Sequence, residues 1–352
     1  MHYEVLIIGQ GISGTFLSYF LQKSNLSFIV IDDASPNAAS RAASGVINPI
    51  TGRRIVKTWM IEELMEFAKI AYRQIGNELD IECISETTII DFFPTPQMRN
   101  AFMDRFHENG EYLKLPRNEN DRRKNFNYDF GYGEIGPVFL VDIHSLLFSF
   151  RKKLIAEQHL SEEHFHIKEL KISNNTIQYK DITADKIIFC DGIESFANPY
   201  FKNLPFAPNK GEALIVEIGN IPDDLIFKKG MSIVPIKNNL FWIGSSYEWE
   251  FDNDGPNKIF RERTELILLE WLKVPFKVVE HIAAVRPATL ERRPFVGFHP
   301  VYKNVGILNG MGTKGCSLAP YFSNQLVQHI TRQSPIHSEA DINRFARILS
   351  KS

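Results

Sequence analysis

Glu4-Val5-Leu6-Ile7-Ile8-Gly9-Gln10-Gly11-Ile12-Ser13-Gly14 opens the chain with an apolar run of strand length that breaks into glycines at G-x-G-x-x-G spacing. Phe16, Leu17, Phe20 and Leu21 follow at helical spacing. The three glycines have separate roles. Gly9 allows the tight turn out of the strand, Gly11 lets backbone approach a pyrophosphate, and Gly14 lets the helix lie against the sheet. The free N–H groups at Ile12 and Ser13 and the positive end of the helix dipole favour phosphate there. A second strand, Phe28-Ile29-Val30-Ile31, ends at Asp32, an acid placed to accept hydrogen bonds from a ribose, with Asp33 beside it. A lone glycine motif also occurs in ordinary turns. Strand, glycines, helix, strand and acid in register read as a dinucleotide site.

The rest of the composition narrows the class. A chain of 352 residues can bury a large core and is long enough for two domains. A formal net charge of −2 creates no field for nucleic acid or an anionic membrane, which argues against a polyanionic partner. The cysteines, Cys83, Cys190 and Cys316, are odd in number and widely spaced, with neither metal-ligand spacing nor a disulfide framework. No metal is expected. The first strand begins near residue 4, which predicts no secretory leader, and no apolar run reaches membrane-spanning length. A soluble cytoplasmic protein is the expectation.

After Asp33 the chain becomes small and polar through Ser40-Arg41-Ala42-Ala43-Ser44-Gly45-Val46-Ile47-Asn48-Pro49. Small side chains at Ala43, Ser44 and Gly45 let backbone approach a flat ligand, with Ser40 and Arg41 available for phosphate; a loop that merely has to be small is the alternative. Thr51-Gly52-Arg53-Arg54 continues this loop. The spacing then predicts a helix over 56–75, a strand over 86–93, a short helix begun by Thr95-Pro96, and a solvated loop over 115–128. Val141-Asp142 caps a helix to about residue 154. Short strands over 165–172 and 176–179 lead to Lys186-Ile187-Ile188-Phe189-Cys190-Asp191-Gly192, a strand ending at a glycine as expected where a further parallel strand meets a dinucleotide.

From Gly211 the pattern changes to short strands over 213–218, 232–236 and 240–244, which predict an antiparallel sheet. A helix over 257–272 and a strand to Val285 follow. Val305-Gly306-Ile307-Leu308 then runs into a second glycine-rich loop, Asn309-Gly310-Met311-Gly312-Thr313-Lys314-Gly315, which opens a helix from Cys316. An amphipathic helix over 339–349 is expected in the tail.

Five islands together resemble the D-amino acid oxidase, glycine oxidase and sarcosine oxidase family of FAD-dependent amine oxidoreductases. They are the Gly9 to Gly14 turn with Asp32, the small-residue loop 40–49, the strand 184–192, Arg286-Pro287 with Pro294-Phe295-Val296-Gly297, and the loop and helix 310–320. The resemblance implies a mixed α/β fold, with a Rossmann-like FAD-binding domain and a substrate domain on a mixed, largely antiparallel sheet. It divides the chain into 1–75, 140–205 and 284–352 for FAD, and 76–139 and 206–283 for substrate. Gly192, Gly310, Gly312, Thr313, Lys314 and Gly315 join the earlier residues as FAD candidates. The loop would present N–H groups to the flavin pyrimidine, and the helix after it would favour negative charge on reduced flavin.

By the same resemblance, a small-molecule amine or amino acid is oxidised to an imine by hydride transfer to flavin N5. The protein then needs chiefly to orient the substrate, usually by pairing a carboxylate with a cation. Arg286 matches the carboxylate-binding arginine of D-amino acid oxidases, or it braces a neighbouring loop. Thr313 stands where glycine oxidase has its carboxylate-binding arginine and cannot supply that charge; the adjacent Lys314 can, or it is simply solvated. Tyr247 falls where relatives place a substrate-facing residue, or it packs within its sheet. Ser232 replaces a substrate-contacting tyrosine, which implies a larger substrate or a differently organised site. His281 and His299 lack sequence partners that would make either a base. Cys316 lies near the expected ring but does not match the linking cysteine of sarcosine oxidases. Two other readings remain open: a tRNA-modifying FAD oxidoreductase, with Arg122-Arg123-Lys124 in its favour, and an FAD-binding protein without amine oxidase activity.

Overall fold

The computed structural model describes residues 1–52, 54–173 and 176–351, so Arg53 of the expected loop lies outside the described residues. Its frame is two large sheets. The first is centred on His2–Ile8, which lies parallel between Phe28–Ile31 and Ile182–Phe189. Val5 to Ile8 and Phe28 to Ile31 are buried throughout, as parallel strands covered on both faces must be. Val305–Asn309 joins the far edge of Ile182–Phe189 in parallel, so one strand separates the opening strand from this late one. The Ile12–Lys23 and Gly315–Arg332 helices pack together, and Ser323 Oγ donates to the Ser13 carbonyl between them at 3.4 Å.

The second sheet runs from Phe276–Arg286 through Asn209–Ile218, Leu240–Gly244, Met231–Pro235, Leu225–Lys229, Ile84–Phe92 and Tyr132–Val141 to Val46–Ile47. All these pairings are antiparallel except that of Leu225–Lys229 with Ile84–Phe92. The mixed, largely antiparallel sheet expected from the sequence is therefore present. Val46–Ile47 links the two layers, because it follows the small-residue loop and hydrogen-bonds into the second sheet.

Helix starts obey local chemistry. Thr95 Oγ1 accepts from the Met98 N–H, Asp142 Oδ1 from Ser145 and Asn257 Oδ1 from Ile259, each satisfying an otherwise orphaned donor. Other boundaries differ from expectation. The helix predicted over 56–75 is Ile61–Leu79, because Val56–Lys57 pairs with Ile50–Thr51 and Met60 takes a left-handed φ of 51°. The tail helix predicted over 339–349 is a 3₁₀ turn, Ile342–Phe345, followed by Ala346–Leu349; Asp341 caps Asn343 and Arg344 bonds the Pro294 carbonyl. Within 165–172 only Leu170–Ile172 is strand. The solvated stretch 115–128 ends by burying Phe126 and Tyr128 beside Phe92, while Arg123 stacks on Tyr128 and bonds its carbonyl. Arg123 is thus occupied within its own loop, which removes it from the basic cluster that favoured a tRNA substrate. Among the described residues no helix is long and apolar enough to cross a membrane.

Candidate active site

At the opening turn, two glycines are required by the protein's own packing. Gly9 has a φ of 98°, and a Cβ on it would stand 2.6 Å from the Cys190 carbonyl oxygen. A Cβ on Gly14 would overlap the Gly9 carbonyl. Gly11 differs: the nearest atom to a Cβ there is Ser40 Oγ, at 3.1 Å. Among the described residues only Ser40 comes within 4 Å of that position, so the small size of Gly11 suits a ligand rather than the fold. Ser40 Oγ accepts from the Ile12 N–H at 3.0 Å and keeps its own proton for a further acceptor.

Asp32 is held more firmly than its sequence position indicated. Its Oδ2 accepts from the Gln10 N–H at 2.8 Å, and its Oδ1 accepts from Ala34 N–H at 2.8 Å and from Arg151 Nη1 at 2.5 Å. A carboxylate offers about four lone-pair sites, so Oδ2 keeps one for a ribose hydroxyl. Arg151 comes from the Ile143–Ala156 helix, and no spacing rule connects it to Asp32. Asp33 pairs with His164 at 2.9 Å. The segment around His164 and Phe165 lines the cavity beside it, and no motif in the sequence marks it.

One cavity of about 1310 Å³ runs from this turn to the second sheet. Gly9, Gly11, Ile12 and Ser13 open on it at one end, and Gly312, Thr313, Lys314 and Gly315 open on it from the rear of the chain. Asp32, Asp33, Ser40, Arg41, Ala43, Ser44, Gly45 and Gly192 also line it. Trp242 Nε1 donates to the Ala42 carbonyl at 3.0 Å and fixes the small-residue loop against the second sheet. Two expected FAD contacts stand off the wall. Gly14 lies under Gly9, and a Cβ on Gly310 would meet Thr289 Cγ2 at 2.7 Å and Phe295 behind it. Packing alone requires glycine at both positions.

Asp191, at the end of the Ile182–Phe189 strand, is a cavity residue to which the sequence alone assigned no role. Asn309 Nδ2 donates to its Oδ1 at 3.4 Å and to the Gly192 carbonyl at 2.8 Å, while Ser195 Oγ also donates to that carboxyl. Asn309 Oδ1 in turn accepts from the Gly310 N–H at 2.8 Å, joining the strand end to the second glycine loop. Burial pushes the Asp191 carboxyl up to about 7, opposed by the bonds from Ser195 and Asn198.

At the other end of the cavity, Arg286 Nη1 donates to Asn209 Oδ1 at 2.6 Å, and both terminal nitrogens reach the Ser246 carbonyl at 3.3 Å. Tyr247 covers the guanidinium with its ring centroid 4.8 Å away. Among the described residues no carboxylate lies within ion-pair distance of Arg286, Lys314 or Arg41, although all three line the cavity. Burial pulls the Lys314 ammonium down, and the positive charges of Arg293 and Arg292 act in the same direction. Ser232 lies on the cavity wall, paired across the sheet with Gly244. His281 has a partner the sequence did not reveal: Glu212, fully buried, at 2.9 Å. Glu212 also accepts from the Asn257 N–H at 2.6 Å, so this pair anchors the Lys258–Trp271 helix. His299 is buried and accepts from the Val301 and Tyr302 N–H groups at 3.1 Å. The Cys316 thiol is buried and pushed up to about 12 by that burial.

The sequence model of the FAD dependent oxidoreductase family matches residues 4–328. The chain belongs to that family. Glycine oxidase of Bacillus subtilis strain 168 is 23% identical over 355 residues, covering 91% of this chain and 90% of its own. Glycine oxidase from Geobacillus kaustophilus has the same fold, with a TM-score of 0.80 at 16% identity over 98% of each chain. Iminodiacetate oxidase from Chelativorans sp. BNC1 aligns with a TM-score of 0.78 at 18% identity, covering 96% of this chain and 98% of that one.

The family's cofactor is FAD, and the groups at the first end of the cavity fit its nucleotide half. The open space above Gly11, the start of the Ile12–Lys23 helix on the cavity wall, the remaining lone pair of Asp32 and Arg41, which has no ion-pair partner among the described residues, suit a pyrophosphate and ribose. Among the described residues no group of three or more His, Cys, Asp or Glu is arranged to hold a metal ion.

Proposed function

We propose that the protein oxidises the C–N bond of a carboxylate-bearing amine or amino acid to an imine, which water then hydrolyses. The observation carrying this reading is Arg286: a half-buried guanidinium on the cavity wall, fixed by two acceptors and an aromatic ring, with no carboxylate of its own among the described residues. Desolvation makes such a cation a strong partner for a ligand carboxylate, and the fork fixes its orientation.

FAD, when bound, supplies the two-electron acceptor for the hydride leaving the carbon beside nitrogen. Gly9, Gly11, Ile12, Ser13, Asp32, Asp33, Ser40 and Arg41 are proposed to hold its nucleotide half, with Gly192 alongside. Ala43, Ser44, Gly45 and residues Gly312 to Gly315 are proposed to hold its ring half. The N-terminus of the Gly315–Arg332 helix and the Lys314 cation put positive potential at that end of the cavity, which favours a negatively charged ring system. Arg286 binds and orients the substrate carboxylate, with Tyr247 shielding the pair from water and Lys314 as a second cation. The proposed FAD unit is 1–75, 140–205 and 284–352, and the substrate unit is 76–139 and 206–283; the two-sheet arrangement supports this division.

The test is an anaerobic panel of amino acids and N-alkyl glycines read by loss of flavin absorbance. Bleaching by at least one carboxylated amine is expected. No bleaching by any of them, in protein whose flavin is reduced by dithionite, would overturn the proposal.

A further inference from the structure

The cavity-facing side of the second sheet carries a continuous rung of residues across six strands. Ile282 pairs with Ala213, Ala213 with Gly244, Gly244 with Ser232, Ser232 with Lys228, and Lys228 with Asp91. The middle of the rung is small, and the rows beside it present Ile89, Ile226, Val234 and Trp242 to the same cavity. Lys228 interrupts this apolar surface. Its ammonium stands 2.7 Å from Asp91 Oδ2, with the lysine side chain 23% exposed and the aspartate 1%. Asp91 Oδ1 has no hydrogen-bond partner among the described residues, and burial pushes this carboxyl up from its ordinary range against the pull of Lys228.

A half-satisfied buried ion pair does little for stability, since desolvating two charges offsets most of their attraction. The backbone ladder already joins these strands, so the pair is not needed to hold them. Asp91 uses one of the three donors of the lysine ammonium and fixes where the head lies; the remaining donors are available to the cavity that Lys228 lines. Four strand spacings of about 4.8 Å separate the Lys228 strand from that of Arg286, and Arg286 lies beyond the rung residue Ile282 by about 13 Å along its strand, which places the two backbones roughly 23 Å apart. The Arg286 guanidinium reaches over Gly211, the Lys228 ammonium lies at the far side of its strand beside Asp91, and serine at position 232 leaves the cavity floor between them open.

Building on the reading above, we propose that Lys228, positioned by Asp91, binds a second acidic group of the substrate, so that the preferred substrate is an elongated amine or amino acid with carboxylates several carbons apart. Arg286 takes one carboxylate and Lys228 the other, with the oxidised C–N bond between them.

The test is spectral titration of the FAD-loaded enzyme with linear dicarboxylates of about six to ten carbons and with monocarboxylates of equal length. At least one dicarboxylate should bind ten-fold or more tightly than its monoacid. The paired variant Asp91→Asn with Lys228→Met, which leaves no lone buried carboxylate, should bring the two to the same Kd, and Lys228→Arg should keep part of the difference. Equal binding of diacids and monoacids by the unaltered enzyme, or a preference that survives the paired variant, would overturn the proposal. These titrations need no turnover, so a diacid preference lost with Lys228 stands even if no amine bleaches the flavin. That last result would remove amine oxidation alone.

Discussion

The guanidinium of Arg286 lies directly over Gly211, so closely that a Cβ on that glycine would overlap it. Position 211 therefore sets how deep the arginine can sit, and any larger residue must push the cation out of its bonds to Asn209 and Ser246.

Arg286→Ala should raise the KM for a carboxylated amine by about 10- to 150-fold, the equivalent of the roughly 1.5–3 kcal/mol of a charge-assisted hydrogen bond, with the flavin spectrum unchanged. Gly211→Ala should move KM in the same direction by displacing the guanidinium. Steady-state kinetics on both variants check this. Unchanged KM in Arg286→Ala would remove the arginine from substrate binding.

Gly11 and Gly14 should separate binding from folding. Gly11→Val points its side chain at the open space beside Ser40, so a folded but flavin-free protein is expected. Gly14→Val collides with the Gly9 backbone, so its Tm should fall even in the absence of FAD. Circular dichroism melts of apoprotein, with FAD content measured after purification, distinguish the two. Yellow, stoichiometric Gly11→Val would contradict the pyrophosphate assignment.

Arg151→Met leaves Asp32 without its cation in a site where the two side chains are only 12% and 16% exposed. Removing one partner of a buried pair costs about 3–5 kcal/mol when burial is complete, and somewhat less here. Weaker FAD binding by at least ten-fold is expected from titration of the apoprotein. Affinity equal to that of the unaltered chain would show that Asp32 needs no support.

Asp191 predicts a pH dependence. Its folded-state carboxyl is raised to about 7, so the protonated form is favoured on folding. The stability this contributes is fully present below the ordinary carboxylate value of about 4 and is lost as pH rises to about 7. Asp191→Asn keeps an acceptor for Ser195 and Asn309 but does not titrate. Its Tm advantage should be absent at pH 4, open through pH 7 and stay constant above. The same Tm difference at pH 4 and pH 8 would contradict the assignment.

Much of this was legible because the relevant signals are local. The strand, glycine turn and helix over residues 4–21 and the capped helices at Asp142 and Asn257 need only neighbouring residues to specify them. Tyr132–Val141 escaped notice because Gly133, Gly136 and Pro137 break a strand pattern. Its reason is tertiary: the Phe102 ring occupies the space that a Cβ on Gly133 would fill. Likewise Arg151 meets Asp32, and Lys228 meets Asp91, only through the sheet topology, and no period in the sequence connects them. Within the second glycine loop the sequence does not distinguish Gly312, on the cavity wall, from Gly310, whose missing side chain makes room for Thr289.

The most direct test is a crystal structure of the FAD-loaded protein. The pyrophosphate should lie over Gly11 and beside Ser40, and the isoalloxazine should lie between Gly45 and the Gly312 to Gly315 loop, within reach of Arg286. A flavin held by only one end of the chain, or a ring outside the cavity shared by the Gly9 and Gly312 loops, would contradict the account.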